Sequence, residues 1–363
     1  MSHILKSTLS TLSILVLSAS AAHAEGEFKR WAVSAGWLHV MPQGKANSTH
    51  INTAVEEGGN YGVSELKTAD VINHSTNLDD YRKGIAGIAV GTIENDYKKD
   101  PNSLVANTFT KDLYANTSGI TNWSSEAGLE ADNVDTLGLT LSYFLNDKIS
   151  VEVVGGIPPK VDIKGKGQIV ASVHAVSESE GLIPKFVDGL TLEKDILITD
   201  LGAHGNVAEV TAWTPVVTAK YHFGQSGVNK FRPFVGAGLA YGYFNKLKLN
   251  KGLEQDLINA GHMIQNVLDD KSGIALQNSG SSSATPVVKV KTDDAFAPAL
   301  TAGFSHDLTD RWFTTASLTY IPNFNNTATI TVADENTGKQ LIEAKTKVDL
   351  DPLITYLGVG YRF

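Results

Sequence analysis

Glu152, Lys220, Arg232, Asp307 and Arg362 carry the most chemical promise in this chain, because each stands at an alternate position in a segment whose other face is apolar. Charges aimed into a narrow interior must pair or meet water, since a lone buried charge is costly. Each lies within a few residues of a short polar turn or of the C-terminus. Two readings stay open: a salt-bridged plug, which is favoured, or a polar ring that selects solutes. Nothing else has the spacing of a reaction centre. The chain holds no GxSxG elbow and no HExxH. Its 10 histidines are scattered without ligand spacing, and it has 0 cysteines, so disulfides and thiolate chemistry are excluded. Asp79-Asp80, Asp269-Asp270 and Asp293-Asp294 are acidic pairs without EF-hand spacing, better read as solvated loop charge. The expectation is no catalytic residue, no metal and no cofactor.

The elements that must hold these charges read as β-strands. In the last one, Leu353, Thr355, Leu357, Val359, Tyr361 and Phe363 share one face, and Ile354, Tyr356, Gly358, Gly360 and Arg362 share the other. The same period of two predicts eight strands, over about Trp31–Met41, Val134–Leu145, Ile149–Ile163, about Ala208–Phe223, Phe231–Leu247, Ala295–Leu308, Trp312 to about Val332, and Ala344–Phe363. Parity places Leu38, Val40, Val154, Phe234, Phe244 and Tyr356 inward as apolar lining, and Leu139 and Leu239 outward.

The connections alternate in length. Asn146-Asp147-Lys148, Gly224–Lys230 and Thr309-Asp310-Arg311 are short polar turns, whereas the segments at roughly 42–133, 164–207, 248–294 and 333–343 are long. Short turns at one end and long loops at the other mark an outer-membrane barrel, with turns periplasmic and loops outside. Trp31, Tyr143, Phe223, Phe231, Trp312 and Phe363 cluster near the short-turn end as an interfacial girdle would. The expected fold class is all-β: an eight-stranded antiparallel transmembrane β-barrel with short periplasmic turns and long, partly helical extracellular loops.

The N-terminus agrees. Lys6, the apolar run Leu9 to Ala19 and Ala22-His23-Ala24 read as a secretory signal peptide over residues 1–24. The formal charge of −9 argues against nucleic acid as a partner and suits acidic, solvated loops.

Several segments together resemble the OmpW family of eight-stranded outer-membrane proteins: DTLGLTLSYFLNDKISVEVVGGIP at 135–158, KFRPFVGAGLAYGYF at 230–244, LTDRWFTTASLTYI at 308–321, LDPLITYLGVGYRF at 350–363, and the opening WAVSAGWLHVMP. The resemblance implies a monomeric barrel in the bacterial outer membrane, with an apolar interior that opens sideways into the outer leaflet. It also implies passage of small hydrophobic molecules, and a C-terminal strand read by the barrel-assembly machinery. Outer-membrane lipid and lipopolysaccharide would surround it. The loops are larger than the family's, so no loop residue is carried over.

Two further features lie in those loops. Lys83–Ile93 is a small-residue apolar stretch, and Leu253, Leu257, Ile264 and Leu268 share one face of a helix. They suit either a lid over the barrel mouth or an inert cap, the cap being favoured. Asn278–Thr285 reads as a flexible surface segment. The expected function is a channel for small hydrophobic molecules, with Leu38, Val40, Val154, Phe234, Phe244 and Tyr356 along the route. The alternative is a plugged barrel that anchors surface loops for structural or adhesive contact.

Overall fold

The computed structural model describes residues 28–125, 127–179, 187–277 and 280–363. The signal-peptide segment and part of Asn278–Thr285 lie outside them. Among the described residues no helix is long and apolar enough to cross a membrane, which says nothing about crossing by strands.

Eight strands do the crossing. They are β1 (Trp31–Met41), β2 (Val134–Phe144), β3 (Ile149–Gly156), β4 (Val216–His222), β5 (Phe231–Leu249), β6 (Ala295–Asp307), β7 (Trp312–Tyr320) and β8 (Leu353–Arg362). Every neighbouring pair is antiparallel. The order β4-β3-β2-β1-β8-β7-β6-β5 closes on itself through β4 and β5, so no edge is left open within the bilayer. Alternation predicts the two faces correctly. Leu137, Leu139, Val217, Leu239, Leu300 and Leu357 are exposed on the lipid side, while Thr140, Thr218, Ala240, Ala299 and Tyr356 are buried inside.

Four of the predicted strands are longer than the barrel strands the structure contains, and proline is the reason. The third stops at Gly156 before Pro158-Pro159, the fourth begins only after Pro215, the seventh stops at Tyr320 before Pro322, and the eighth begins after Pro352. A proline offers no N–H to a ladder, and at these four places pairing lapses, whereas Pro233 and Pro298 are accommodated within the paired strands β5 and β6. Beyond each proline a strand resumes on a new course. β5 alone runs on unbroken, to Leu249, but it carries a bulge. Lys246 takes a left-handed backbone (φ 52), and the register against 206–213 shifts beside it. Past this point the two faces exchange: Leu247 and Leu249 turn inward, and Lys246 and Lys248 outward.

Above the membrane the long segments are not plain loops. The strands Gly128–Ala131, Lys160–Lys166 and Asn206–Trp213 continue the barrel wall beside the outer half of β5. A separate sheet of five strands comprises Ala46–Thr53, Asn122–Ser125, Pro286–Thr292, Asn325–Asp334 and Gln340–Asp349. A third sheet joins Gly59–Gly62, Leu113–Ser118, Gln168–Ser179 and Thr191–Asp200.

Two long helices complete this cap. The small-residue stretch of the first long segment becomes α1 (Gly84–Lys99), and the amphipathic stretch becomes α2 (Lys251–Leu268). Asn250 caps α2 by accepting the Gly252 N–H at 2.7 Å. Its face of Leu253, Leu257, Ala260, Met263, Ile264 and Val267 is fully buried against the cap sheets.

Candidate functional site

The lumen is layered, and its floor is ionic. Lys220 on β4 donates to Glu152 on β3, with Ser142 donating to the same carboxylate at 2.9 Å. Arg362 on β8 lies 2.6 Å from Asp307 on β6. Arg232 on β5, almost wholly buried, donates to the Asp147 carbonyl, and the Asp147 carboxylate stands 3.7 Å away. All five charges singled out in the sequence thus meet at the periplasmic end, four of them as two pairs drawn from different strands and Arg232 against the turn residue Asp147. Aromatic rings fill the spaces between them. Lys220 Nζ lies 4.2 Å from the centre of the Phe234 ring, and Arg362 lies 4.3 Å from that of Phe313. His222 sits between Phe144 and Phe234 and shares a 2.8 Å hydrogen bond with Ser150.

Above the floor is a rung of hydroxyls. Ser34 lies 2.6 Å from Thr140 and 2.7 Å from the Tyr356 hydroxyl, tying β1, β2 and β8 together. Higher still the interior is apolar. Leu38, Val216, Ala240, Ala297, Ile321, Phe324, Ile354 and Tyr356 form one cluster, with Val40, Val154 and Phe244 packed on its edge. Five of the six residues expected along a substrate route therefore meet in one layer. The sixth, Phe234, sits lower, among the charges of the floor.

The apolar layer opens upward into a cavity of about 120 Å³. Val40, Phe244, Ile321 and Phe324 form its base, Leu247, Leu249, Val161 and Val210 its sides, and Leu253 of α2 part of its roof. Phe324, which alternation does not single out, is 1 % exposed and joins the two zones. A Cβ on Gly242 would sit 2.5 Å from its ring, so β5 needs glycine there. The signal for Phe324 is its place directly after the Ile321-Pro322 break, where a strand turns and its next large side chain must fall inside.

The wall beside this cavity is incomplete. β3 and β4 pair up to Val154↔Val216, and the two chains rejoin where the Pro159 carbonyl accepts from Ala212 N–H at 3.0 Å, just before Lys160↔Thr211. Pro158, Pro159 and Pro215 occupy the interval. The Pro159–Ala212 bond is the upper edge of the gap, and at its lower edge the Pro215 carbonyl turns to β5, accepting from Tyr241 N–H at 3.0 Å. Gly155 has open space where a side chain would stand, and Pro159, Ala212 and Thr214 line the cavity just inside. Among the described residues no group of three or more His, Asp or Glu side chains could hold a metal ion.

This chain is similar in sequence to known outer-membrane proteins. Outer membrane protein W of Vibrio cholerae is 26 % identical over 241 residues, which span 66 % of this chain and 79 % of that protein. Outer membrane protein AlkL of Ectopseudomonas oleovorans is 22 % identical over 65 % of this chain and 70 % of its own. Among solved structures, OprG of Pseudomonas aeruginosa aligns over 92 % of this chain and 96 % of its own, with 15 % identity and a TM-score of 0.47. The model of the OmpW family matches residues 102–279 and 275–363, every strand from β2 to the C-terminus. With the closed barrel, its lipid-facing strands and its short periplasmic turns, this match places the protein in the bacterial outer membrane as a member of the OmpW family.

Proposed function

We propose that this barrel passes small hydrophobic molecules across the outer leaflet and releases them sideways. Cargo enters the cavity beneath the cap, slides over Phe244 and Phe324, and leaves through the wall between β3 and β4. The observation that carries this reading is the contact between an apolar cavity and a proline-interrupted wall, in a lumen whose floor is closed by ion pairs. An apolar solute gains by staying out of water and loses by meeting paired charges, so the downward path is unfavourable and the lateral one is downhill. Leu38, Val40, Val154, Phe244 and Tyr356 would line the chamber, Phe234 its bottom, and Glu152, Lys220, Arg232, Asp307 and Arg362 would act as the plug. We assign no catalytic role to any of them. The barrel would work as a monomer.

The test uses the absence of cysteine. Gly155→Cys with Pro215→Cys places one thiol on each strand, one residue beyond the last pair Val154↔Val216, so that a disulfide would tie the two lips of the gap together. Oxidation should lower uptake of a labelled n-alkane or naphthalene by cells at least fivefold, and a reductant should restore it. Uptake that ignores the cross-link rules out this exit.

A second reading is favoured by the size and order of the cap, which has a core of its own. In that reading the barrel is an anchor and the cap makes structural or adhesive contacts. Cells lacking the protein would then lose surface attachment while taking up apolar solutes normally.

A further inference from the structure

A second discontinuity lies higher up, between the outer half of β5 and the strand Pro286–Thr292. Where β5 and β6 pair, the ladder is continuous to Gly242↔Ala295. Above that level β5 pairs instead with Asn206–Trp213, and Pro286–Thr292 pairs only with Asn325–Asp334. The two sheets part here, held at the bottom by the Thr292 hydroxyl donating to the Phe244 carbonyl at 3.3 Å. The corresponding seam on the far side is closed by the Thr49 hydroxyl donating to the Ala127 carbonyl at 3.0 Å.

The inner lips of the open seam are apolar: Leu247 and Leu249 on one side, Val290 on the other, all lining the same cavity. Alternation puts the residues between them on the outer face. On β5 these are Lys246 and Lys248, and on the other lip Lys289 and Lys291. All four are exposed, and none has a carboxylate within ion-pair distance among the described residues. The nearby acids are engaged elsewhere. Glu209, across from Lys248, is held by Lys160 at 2.9 Å, and Asp294 accepts the Tyr241 hydroxyl at 2.8 Å. By contrast Lys345 and Lys347, on the outer face of the same five-stranded sheet, pair with Glu343 at 2.7 Å and Asp349 at 3.0 Å.

Depth identifies the partner. Tyr241, Tyr243 and Phe296 form the outer aromatic rim of the lipid face, and Phe296 is 73 % exposed. Lys246 follows Tyr243 by roughly 10 Å of strand, which sets the ammonium groups at headgroup level. A chain with formal charge −9 that leaves four lysines unpaired there presents a cradle for a phosphorylated group. We propose that Lys246, Lys248, Lys289 and Lys291 bind the phosphates of an outer-leaflet glycolipid, whose headgroup bridges the two sheets and closes the seam over the apolar cavity. Ammonium groups near an anionic surface each add to such attraction, and the effect is screened by salt. The proposal rests on the outer-membrane location and not on the transport reading.

The test titrates diphosphoryl lipid A onto the full-length barrel in phosphatidylcholine nanodiscs, read by native mass spectrometry. Changing all four lysines to Gln should weaken binding at least tenfold. Lys345→Gln with Lys347→Gln should leave it within twofold. Lipid A stripped of phosphate should bind the wild type as weakly as diphosphoryl lipid A binds the four-lysine variant, and millimolar inorganic phosphate should not displace the lipid. Unchanged affinity in the four-lysine variant, equal loss in the control pair, or displacement by free phosphate overturns the proposal. Heat-modifiable mobility reports folding. If the fourfold variant does not fold, Lys246→Gln/Lys248→Gln and Lys289→Gln/Lys291→Gln should each weaken binding about threefold, and no change in either overturns it too.

Discussion

The floor of the lumen turns on single residues. Lys220 is buried, Glu152 is largely so, and the two are bound to each other, so removing one leaves the other charge without its counterpart. Lys220→Met should destabilise the barrel by about 3–5 kcal/mol in reversible unfolding from bilayers. Adding Glu152→Leu to that variant should recover most of the loss, because no orphan charge remains. A double variant as unstable as the single one would mean that the pair does more than neutralise itself. Phe324 is the other decisive residue. Phe324→Ala removes a wholly buried ring and should cost about 3–5 kcal/mol through the cavity it leaves. It should also raise uptake of apolar solutes, since the ring stands between the lumen cluster and the cavity. Lower or equal uptake would show that Phe324 is only a packing residue.

At the scale of the strand, lipid enforces a pattern that the sequence makes plain. Every crossing strand must show hydrocarbon one face, so the parity of Leu139 and Leu239 is readable without a structure, and both are exposed. Leu239→Arg should cost ~2–4 kcal/mol, the penalty for a charge near the bilayer midplane, whereas Leu308→Arg beside a periplasmic turn should cost about 0–1 kcal/mol. Equal penalties would show that the two positions do not differ in depth. The five lumen charges were legible for the same reason, since polar side chains on the inner face stand out against glycine, alanine and threonine. The pattern weakens outside the bilayer, where water can satisfy either face. Ile169, Ala171 and Val173 alternate as buried positions of Gln168–Ser179, yet they sit among polar neighbours that read as loop. Prolines were visible, but their consequence, a strand that leaves the barrel and joins another sheet, depends on partners distant in sequence. The parity change at Lys246 was not legible at all, because a bulge is set by a neighbouring strand's register and not by its own residues.

For the molecule as a whole, closure depends on the last strand. β8 pairs with both β1 and β7, and Phe363 N–H donates to the Trp31 carbonyl at 3.0 Å beside the Tyr361 ring. Deleting Phe363 should reduce the amount of heat-modifiable barrel in the outer membrane, read on unheated gels of membrane fractions. Undiminished barrel would show that the terminal ring is dispensable for assembly. The cap, in turn, is not a separate appendage. Ile51, Val332, Leu341, Ile342 and Ala344, all on strands that rise from the barrel, share one core with α2. Shortening α2 should therefore unsettle the mouth as well as the cap.

The ion-paired floor has an electrical consequence. Hydrated ions need a continuous column of water, and the pairs Lys220–Glu152 and Arg362–Asp307 interrupt it with fixed charges bound to each other. In planar bilayers the barrel should hold a flat current trace under voltage, without the steps of an open pore. If the barrel carries apolar solutes as proposed, a cell could hold many copies without admitting hydrated polar solutes, so that abundance, and not gating, would set the capacity of that route.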